Sequence, residues 1–417
     1  MIALHFFYQL SIRLYVLVIN IASMFHHKAK LWVSGRIAWK KKLQAWRQNN
    51  TGELIWVHCA SLGEFEQGRP VIEDIRENYP GKKILLTFFS PSGYEIRKNY
   101  GQADLVIYLP ADTMRNASTF ITTLQPSLVL FVKYEYWANY FFTLKKEGIP
   151  LYIISGILRP EQRFFGVFSS YWKKVLACVT HFYVQDNQTA ELLQGVGIDQ
   201  VTIAGDTRFD RVARIPEQSQ PASMTKFKSY CNDRFVLVAG STWPEEDALL
   251  ETWRKDKRYD QDGLIIIPHE TDEEHIQQIC RRFARSVRWT QVEGEIPRES
   301  VLVIDTIGML SFIYQYADLV LIGGGFGKGI HNTLEAATWG VPILFGPRHE
   351  KFREALGLLS VGGAYTFQNQ AGFLEIAEKL RFDASLREKS GHQAKKFVEE
   401  NTGATAVIMN GIRSYFP

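Results

Sequence analysis

The stretch LIWVHCASLGE, residues 54–64, sets the pattern on which this chain is built. An apolar run typical of a buried strand leads into a turn of small residues, and Val71, Ile72 and Ile75 then recur at helical spacing. Strand, turn and helix together predict the first unit of an open α/β sheet. In such sheets ligands bind at the carboxyl ends of the strands, which is where Glu64 should lie.

Two readings of Glu64 follow from this position. It could be a working carboxylate at a binding edge, or an ordinary acid in the first turn of a helix, where the helix dipole favours negative charge. The stretch itself does not decide between them.

The chain continues with apolar runs separated by segments of helical length. This alternation predicts a parallel, doubly wound sheet. The strands predicted for the first half are 54–59, 83–89, 105–109, 128–132, 151–155, 182–185 and 201–204.

A second alternation begins after a stretch rich in Pro, Gln and Ser. We therefore predict a membrane-anchoring segment at 1–45, a Rossmann-like domain at 46–210, a linker at 211–233 and a second Rossmann-like domain at 234–417. Two such domains are expected to face a central cleft that holds a ligand. The strands predicted for the second half are 235–239, 264–267, 301–304, 319–322 and 343–345.

The composition fits a soluble two-domain protein, with 417 residues of which 46% are hydrophobic. The four cysteines are widely spaced, which argues against a disulfide framework or a structural zinc site. A reducing, cytosolic compartment fits this usage.

The positive charge of the chain is concentrated at its N-terminus. Eight Lys/Arg precede Glu53, the first acidic residue, and the remaining 40 are outnumbered by 44 Asp/Glu. This asymmetry argues against a broad nucleic-acid surface and for a local anionic partner.

The apolar N-terminal segment predicts a membrane anchor. Residues 2–25 are rich in Ile, Leu, Val, Phe and Tyr, and cations interleaved with tryptophans follow them. Such a flank suits an anionic membrane surface, so the anchor is expected to lie in or dip into the inner leaflet. The alternative is an amphipathic helix that packs on the body of the protein.

Several chemistry-bearing residues follow predicted strands. Glu135, Trp137 and Asn139 could form a wall for a sugar ring, or could be residues of a helix core. In the second half, Ser241 and Thr242 precede a helix rich in early acids, where an anion could bind.

The glycine-rich segment 323–329 is the strongest signal. Consecutive glycines let backbone amides approach a phosphate, and His331 and Asn332 are expected where the next helix begins. Glu335 could accept hydrogen bonds from ribose hydroxyls. No Gly-x-Gly-x-x-Gly motif opens either half, so a nucleotide sugar is favoured over a dinucleotide.

Four motifs occur together in order: Ser61-Leu62-Gly63-Glu64, Glu135-x-Trp137-x-Asn139, Gly205-x-x-x-Phe209-Asp210, and Gly323-Gly324 followed by His331-Asn332-x-Leu334-Glu335. In this combination the chain resembles the 3-deoxy-D-manno-octulosonic acid (Kdo) transferases of lipopolysaccharide synthesis, over nearly its whole length. The resemblance implies a GT-B fold and inverting transfer of Kdo from CMP-Kdo to a lipid A precursor. It also implies action at the cytoplasmic face of the inner membrane and catalysis without a metal.

The resemblance assigns roles to matching positions. Glu64 corresponds to the catalytic base. The residues expected beside the acceptor are Ser61, Gly63, Glu135, Trp137 and Asn139. The residues expected to bind the donor are Ser241, Thr242, His269, Gly325, Gly327, His331, Asn332 and Glu335.

The chain departs from the family pattern at three places. Lys133 stands where an acid is usual, and Met309 stands where an acid is common. Pro268-His269-Glu270 replaces the usual Arg-His pair after proline. These departures concern contacts to the donor phosphate and the acceptor rather than the reaction class.

Two other functions remain open at this point. One is a GT-B glycosyltransferase that uses a UDP-sugar on a lipid or glycan. The other is a non-catalytic, membrane-bound protein that binds a nucleotide sugar. Competition by CMP but not UDP, and formation of a product, would separate these alternatives.

Overall fold

The structure, a computed structural model, describes residues 2–162, 164–166, 169–220 and 224–416. The chain forms two compact units, of which one comprises 1–211 with 402–417 and the other 212–401. Each unit is built around its own parallel sheet.

The first unit holds a seven-stranded parallel sheet in the order β3-β2-β1-β4-β5-β6-β7. All seven strands predicted for this half are present, and no strand end differs from the prediction by more than one residue. The strands are β1 (Leu54–Cys59), β2 (Lys83–Phe88), β3 (Leu105–Tyr108), β4 (Leu128–Val132), β5 (Leu151–Gly156), β6 (His181–Val184) and β7 (Val201–Ile203).

Helices cover both faces of this sheet, which is why its central strands are apolar almost throughout. In β1, Trp56 packs into one layer with Phe131, while Val57 packs into the other with Val71. The helices are α1 (Ile2–Ala22), α2 (His27–Ser34), α3 (Trp39–Gln48), α4 (Leu62–Asn78), α5 (Pro91–Arg97), α6 (Met114–Leu124), α7 (Ala138–Lys146), α8 (Ser169–Leu176), α9 (Asn187–Gly195) and α10 (Arg208–Ala213).

The second unit repeats this architecture with the strand order β10-β11-β9-β8-β12-β13-β14. Its strands are β8 (Val236–Thr242), β9 (Gly263–Pro268), β10 (Ser286–Arg288), β11 (Val301–Val303), β12 (Leu319–Ile322), β13 (Ile343–Phe345) and β14 (Ala364–Thr366). Its helices are α11 (Thr225–Cys231), α12 (Pro244–Lys255), α13 (Glu273–Arg282), α14 (Leu310–Ile313), α15 (Leu334–Ala337), α16 (Arg353–Ser360), α17 (Gln370–Phe382) and α18 (Ala384–Glu400).

The five strands predicted for this half are present, but β10 and β14 were missed. Both are three-residue strands at the edges of the sheet, and their residues are largely half-buried. A strand this short has no alternation from which it could be predicted.

In both sheets the strand order reverses direction at one point. The reversal lies between β1 and β4 in the first unit and between β8 and β12 in the second. Ligands of open α/β sheets bind beside such a switch point. We therefore expect the functional residues in the loops that follow these four strands.

The C-terminal residues belong to the first unit, although the sequence placed all of 234–417 in the second domain. Helix α19 (Ala404–Ile412) buries Ile408 and Ile412 in the same core layer as Val57. The carboxylate of Asp210 accepts hydrogen bonds from the backbone N–H of Gly403 and of Thr405, at 2.5 and 2.7 Å. These contacts are remote in sequence, and for that reason no local pattern predicted them.

The predicted linker 211–233 contains structure of its own. Helix α11 lies within it and buries Phe227 and Tyr230 completely in the second unit. The Tyr230 hydroxyl donates to the carbonyl oxygen of Ser300 at 2.7 Å. The second unit therefore begins well before the predicted boundary at 234.

The N-terminal helix α1 is packed along one face and exposed along the other. Tyr8 donates to Asp112 Oδ2 at 2.5 Å, Gln9 donates to the side-chain oxygen of Asn139, and Ile12 is buried. The expectation of a helix packed on the body is thus met for one face of α1, and the other face presents an apolar surface. Its exposed large apolar residues are Phe6, Phe7, Leu10, Leu14, Tyr15, Leu17, Val18 and Ile21.

Residues 3–22 of this helix are long and apolar enough to cross a membrane by length and composition alone. The rest of the predicted anchoring segment, in contrast, is attached to the first unit. Arg36 donates to the carbonyl oxygens of Phe89 and Leu109 at 2.7 and 2.8 Å, and Leu43 on α3 is fully buried.

Candidate functional site

The turn between β1 and α4 holds Glu64 at the carboxyl end of the sheet, beside the switch point. Glu64 is the third residue of α4 and its side chain folds back to accept a hydrogen bond from the backbone N–H of Ala60. Only 5% of Glu64 is exposed. Glu64 therefore lies in the first turn of its helix and is also a buried carboxyl group at the carboxyl end of the sheet.

The environment of Glu64 makes it an unusually strong base. Burial first, and then the charge of Glu135, raise the pKa of the Glu64 carboxyl group to about 8. Hydrogen bonds from the Ala60 and Ser61 backbone and the charge of Lys133 oppose this rise. The helix N-terminus would by itself have made Glu64 a weak base, and burial outweighs it.

Ser61 and Gly63 flank Glu64 in the same turn. Ser61 is the residue before the helix, in extended conformation, and its side chain makes no capping hydrogen bond. A Cβ placed on Gly63 would meet only the Ser61 hydroxyl, at 4.0 Å. No described neighbour therefore requires a glycine here, and the space outside the turn is open.

Glu135 and Trp137 reach the same edge from the neighbouring strand β4. The chain leaves β4 through Lys133, whose positive φ of 70° is rare for a residue with a side chain. The Trp137 ring packs on Phe89 with centroids 4.7 Å apart, and its indole Nε1 has no hydrogen-bond partner among the described residues. Glu135 faces the buried His58.

Asn139 has a different position from that predicted. It is almost completely buried, and its side-chain N–H donates to the backbone oxygen of Asp112 at 2.5 Å. Its side-chain oxygen accepts from Gln9 on α1. Asn139 thus ties α1 and the segment after β3 to the start of α7, and it does not line an open wall.

In the second unit, β8 and β12 approach each other very closely where they end. Ser241 has a positive φ of 54°, and a Cβ on Gly323 would lie only 2.1 Å from the Ser241 carbonyl oxygen. Gly323 is therefore required by this approach. Thr242 is fully buried just after it.

Three aromatic side chains stack beside this point: Trp243, His269 and His331. The two imidazole centroids are 4.1 Å apart, and the indole of Trp243 lies 5.0 Å from His269. Trp243 Nε1–H donates to His331 Nε2 at 3.0 Å. Burial, and then the neighbouring His269, lower the pKa of His331 to about 4, so its ring is neutral near pH 7.

This hydrogen bond fixes the tautomer of His331. An indole N–H can only donate, so His331 Nε2 must present its lone pair and the ring proton must be on Nδ1. His331 therefore offers an Nδ1–H donor. The sequence predicted His269 and His331 as binding residues but missed Trp243, which holds them.

Four of the seven amides of the glycine-rich segment 323–329, those of Gly323, Gly324, Gly327 and Gly329, donate hydrogen bonds within the protein. The buried carboxyl of Glu246 accepts from Gly324 N–H and from Trp243 N–H, both at 3.0 Å. Further amides with backbone or side-chain acceptors are those of Gly323, Gly327, Gly329 and His331. Glu246, whose pKa burial raises to about 7, was also missed by the sequence.

The other predicted donor residues surround this segment. Gly325 packs against Gly346, where a Cβ on Gly325 would lie 2.5 Å from the Gly346 nitrogen, whereas Gly327 has space around it. Asn332 accepts from Leu334 N–H at 3.1 Å. Glu335 lies on α15, which has only four residues, so the predicted contribution of a helix dipole at this point is small.

Within the described ranges, no group of three His, Cys, Asp or Glu side chains is arranged to hold a metal ion. The described site residues form two groups, one at the β1–β4 edge and one at the β8–β12 edge. The first is a buried carboxyl group with aromatic and acidic neighbours, and the second is a stack of one indole and two imidazole rings.

Known proteins are similar to this chain in sequence and in fold. Residues 37–211 match the family model described as 3-deoxy-D-manno-octulosonic-acid transferase (kdotransferase). The chain is 25% identical over 373 residues to the 3-deoxy-D-manno-octulosonic acid transferase of Haemophilus influenzae, covering 87% of each protein. Residues 37–211 therefore form a domain of the Kdo transferase family of glycosyltransferases, and the chain as a whole is similar to Kdo transferases.

Other family members are similar to the same extent. The transferase of Rickettsia felis is 26% identical over 360 residues, covering 84% of this chain and 76% of that protein. That of Bordetella pertussis is 24% identical over 378 residues, covering 87% of each.

Solved structures show that this chain has the GT-B fold. The UDP-GlcNAc 2-epimerase of Neisseria meningitidis superposes with a TM-score of 0.61 at 15% identity, covering 87% of this chain and 100% of that one. MurG of Acinetobacter baumannii superposes with a TM-score of 0.54 at 12% identity, covering 87% and 99%. These likenesses concern the fold alone.

Proposed function

We propose that the protein transfers Kdo from CMP-Kdo to a hydroxyl group of a lipid A precursor, with inversion at the anomeric carbon. The acceptor would bind at the β1–β4 edge and the donor at the β8–β12 edge. Similarity to Kdo transferases supports the sugar, and the geometry of the two edges supports the roles of the residues.

The single observation that carries the proposal is the state of Glu64. A carboxyl group with a pKa near 8 removes a proton from an alcohol more readily than an ordinary glutamate does, because general bases work best near the operating pH. Its position at a switch point is where a substrate is expected.

The reaction then has one displacement. The oxygen of the acceptor hydroxyl attacks the anomeric carbon of Kdo while Glu64 takes the hydroxyl proton. The bond from the anomeric carbon to the phosphate oxygen breaks, and CMP leaves with the electron pair. A single attack on the face opposite the leaving group inverts the configuration of that carbon.

The donor half of the proposal rests on the aromatic cluster. The Nδ1–H of His331 would donate to an oxygen of the leaving phosphate, and the neutral imidazole would do so without the cost of burying a second charge. His269, which is stacked on His331, would extend the same surface.

We also propose that the protein works on the cytoplasmic face of the inner membrane and needs no metal. The exposed apolar face of α1 supports attachment to a lipid surface. Activity that persists in EDTA would support catalysis by side chains alone, and activity restored only by a divalent cation would contradict it.

The test is a reconstitution with purified full-length protein, CMP-Kdo and a lipid A precursor, followed by mass spectrometry of the lipid. We expect a lipid that is heavier by one or more Kdo residues, and inhibition by CMP but not by UDP. A product formed only from a UDP-sugar would identify another kind of GT-B glycosyltransferase. Binding of CMP without any product would indicate a non-catalytic binding protein.

A further inference from the structure

A buried histidine lies in the strand that leads to the proposed base and has no assigned role. His58, the fifth residue of β1, is fully inaccessible to solvent. Its Nε2 lies 3.8 Å from Oε2 of Glu135, and neither of these two buried atoms has a hydrogen-bond partner among the described residues. Two unpartnered polar atoms that face each other inside a protein call for a physical explanation.

The hydrogen bonds on the other side of the ring decide which nitrogen carries the proton. Trp56 Nε1–H donates to Thr87 Oγ1 at 2.8 Å, and Thr87 Oγ1 lies 2.9 Å from His58 Nδ1. The other acceptor available to the Thr87 hydroxyl, the Val57 carbonyl oxygen, is 3.4 Å away. The shorter contact favours a hydroxyl that donates to Nδ1, which puts the proton of neutral His58 on Nε2.

The alternative tautomer is disfavoured for a second reason. It would direct the Nε2 lone pair of His58 at the carboxylate of Glu135 in a buried place, where electrostatic repulsion is poorly screened. With the proton on Nε2, the same pair becomes an N–H directed at an acceptor. Burial lowers the pKa of His58, which keeps this ring neutral.

A few charged or titratable groups act on His58, Glu135 and Glu64. Glu135 acts on Glu64, and Lys133 acts on Glu64 with the opposite sign. Arg36 acts on His58, while Tyr15 and Tyr134 respond to the charge of Glu135. Among these groups only Glu135 makes Glu64 more basic through its charge.

We infer that His58 is a positioning residue, whose Nε2–H holds the Glu135 carboxylate beside Glu64 so that the base works against a fixed negative charge. This inference rests on the proposed role of Glu64. Removing the N–H would release Glu135 from its place, which takes a negative charge away from Glu64. The pKa of Glu64 is then lower, and Glu64 is a weaker base.

The test is the pH dependence of kcat/KM in the full-length protein. His58→Phe fills the same space beside Phe131 without a donor, whereas His58→Gln keeps an N–H near the position of Nε2. We expect His58→Phe and Glu135→Gln each to lower the midpoint of the acidic limb of the kcat/KM profile by at least one pH unit. The double variant should show no further shift. We expect His58→Gln to remain close to wild type.

A matched control is His181→Gln in the same sheet, since His181 likewise contacts a threonine, Thr202, at 2.8 Å. The His181→Gln variant should leave the midpoint of the acidic limb unchanged. A His58→Phe protein that is slower at every pH with an unshifted midpoint would overturn the inference, because a merely structural histidine behaves in that way. If His58→Phe does not fold, the Glu135→Gln variant provides the test. An unshifted midpoint in Glu135→Gln would also overturn the inference.

A measurement without turnover separates this inference from the proposed function. In protein labelled with 13C at glutamate carboxyl groups, the Glu64 signal is the one that Glu64→Gln removes. We expect its titration midpoint to fall by at least one pH unit in His58→Phe and Glu135→Gln. An inactive Glu64→Gln protein with unshifted midpoints would refute only the role of His58, whereas an active one would refute the proposed base.

Discussion

The indole N–H of Trp243 donates to Nε2 of His331 across 3.0 Å, and this one contact fixes both the tautomer and the orientation of the imidazole ring. It places the ring proton of His331 on Nδ1 and keeps the ring from turning. Trp243 follows β8 and His331 follows β12, so the bond also joins the two strands on either side of the switch point.

We predict that Trp243→Phe weakens binding of CMP about fivefold. The phenyl ring preserves the stack on His269 but cannot donate, and a hydrogen bond of this kind contributes roughly 1 kcal/mol, close to a factor of five. Isothermal titration calorimetry measures the change. Trp289→Phe, which keeps a ring on Phe227 elsewhere in the same unit, is the control. Equal affinities for wild type and Trp243→Phe would show that the tautomer is not fixed by this bond.

We predict that Glu246→Ala destabilises the second unit and that Glu246→Gln does so less. Alanine leaves the buried amides of Trp243 and Gly324 without an acceptor, at roughly 1–3 kcal/mol each. The two amides donate to different oxygens of Glu246, so glutamine keeps an acceptor for only one of them. Urea denaturation gives the free energy of unfolding, with Glu245→Ala at the exposed neighbouring position as the control. A loss for Glu246→Ala as small as that for Glu245→Ala would contradict the assignment.

The raised pKa of Glu64 predicts how stability depends on pH. In the folded state Glu64 stays protonated up to about pH 8. The contribution of protonated Glu64 to the free energy of unfolding is therefore present at acid pH and is lost as the pH rises through 8. Glu64→Gln cannot ionise, so its advantage over wild type should grow between pH 5 and pH 9 to a few kcal/mol. This stability difference grows because the pKa of Glu64 is higher in the folded than in the unfolded state. Each unit of that pKa difference corresponds to about 1.4 kcal/mol.

The free energy of unfolding at pH 6 and pH 9 tests this prediction. Glu77→Gln removes a charge from an exposed position of α4 and should show no such growth. A constant difference between Glu64→Gln and wild type at both pH values would mean that Glu64 titrates as an ordinary glutamate.

The exposed face of α1 predicts a membrane attachment that can be removed without undocking the helix. Changing Phe6, Leu10, Leu14 and Leu17 to glutamine leaves the packed residues Tyr8 and Gln9 in place. We expect the variant to float with anionic lipid vesicles far less than wild type. Ile307→Gln combined with Phe382→Gln, at exposed positions of the second unit, is the control. Unchanged flotation of the α1 variant would rule out this face as the attachment surface.

Much of the fold could be predicted because local patterns encode it. The strand 54–59 is apolar throughout and the turn after it is made of small residues, so both were recognisable. The assignment of α19 to the first unit depends on Asp210 and Gly403, which are far apart in sequence, and no pattern reports such a pair.

The site was predictable to a different degree. Glu64, Glu135 and His331 follow strands and stand in motifs, and the structure places them at the two switch points. The basicity of Glu64 could not be read from the sequence, because it arises from burial and from Glu135, seventy-one residues away. Asn139 stands in the same motif as Glu135 but is a buried structural residue.

The central claim is that Glu64 is the base for transfer of Kdo, and one experiment tests it most directly. Glu64→Gln is assayed for transfer from CMP-Kdo to a lipid A precursor at pH 8, and for CMP binding by calorimetry. We predict a rate lower by roughly 10²–10⁴-fold, the usual contribution of a general base, with CMP affinity unchanged. Transfer at a near-normal rate in Glu64→Gln would contradict the account.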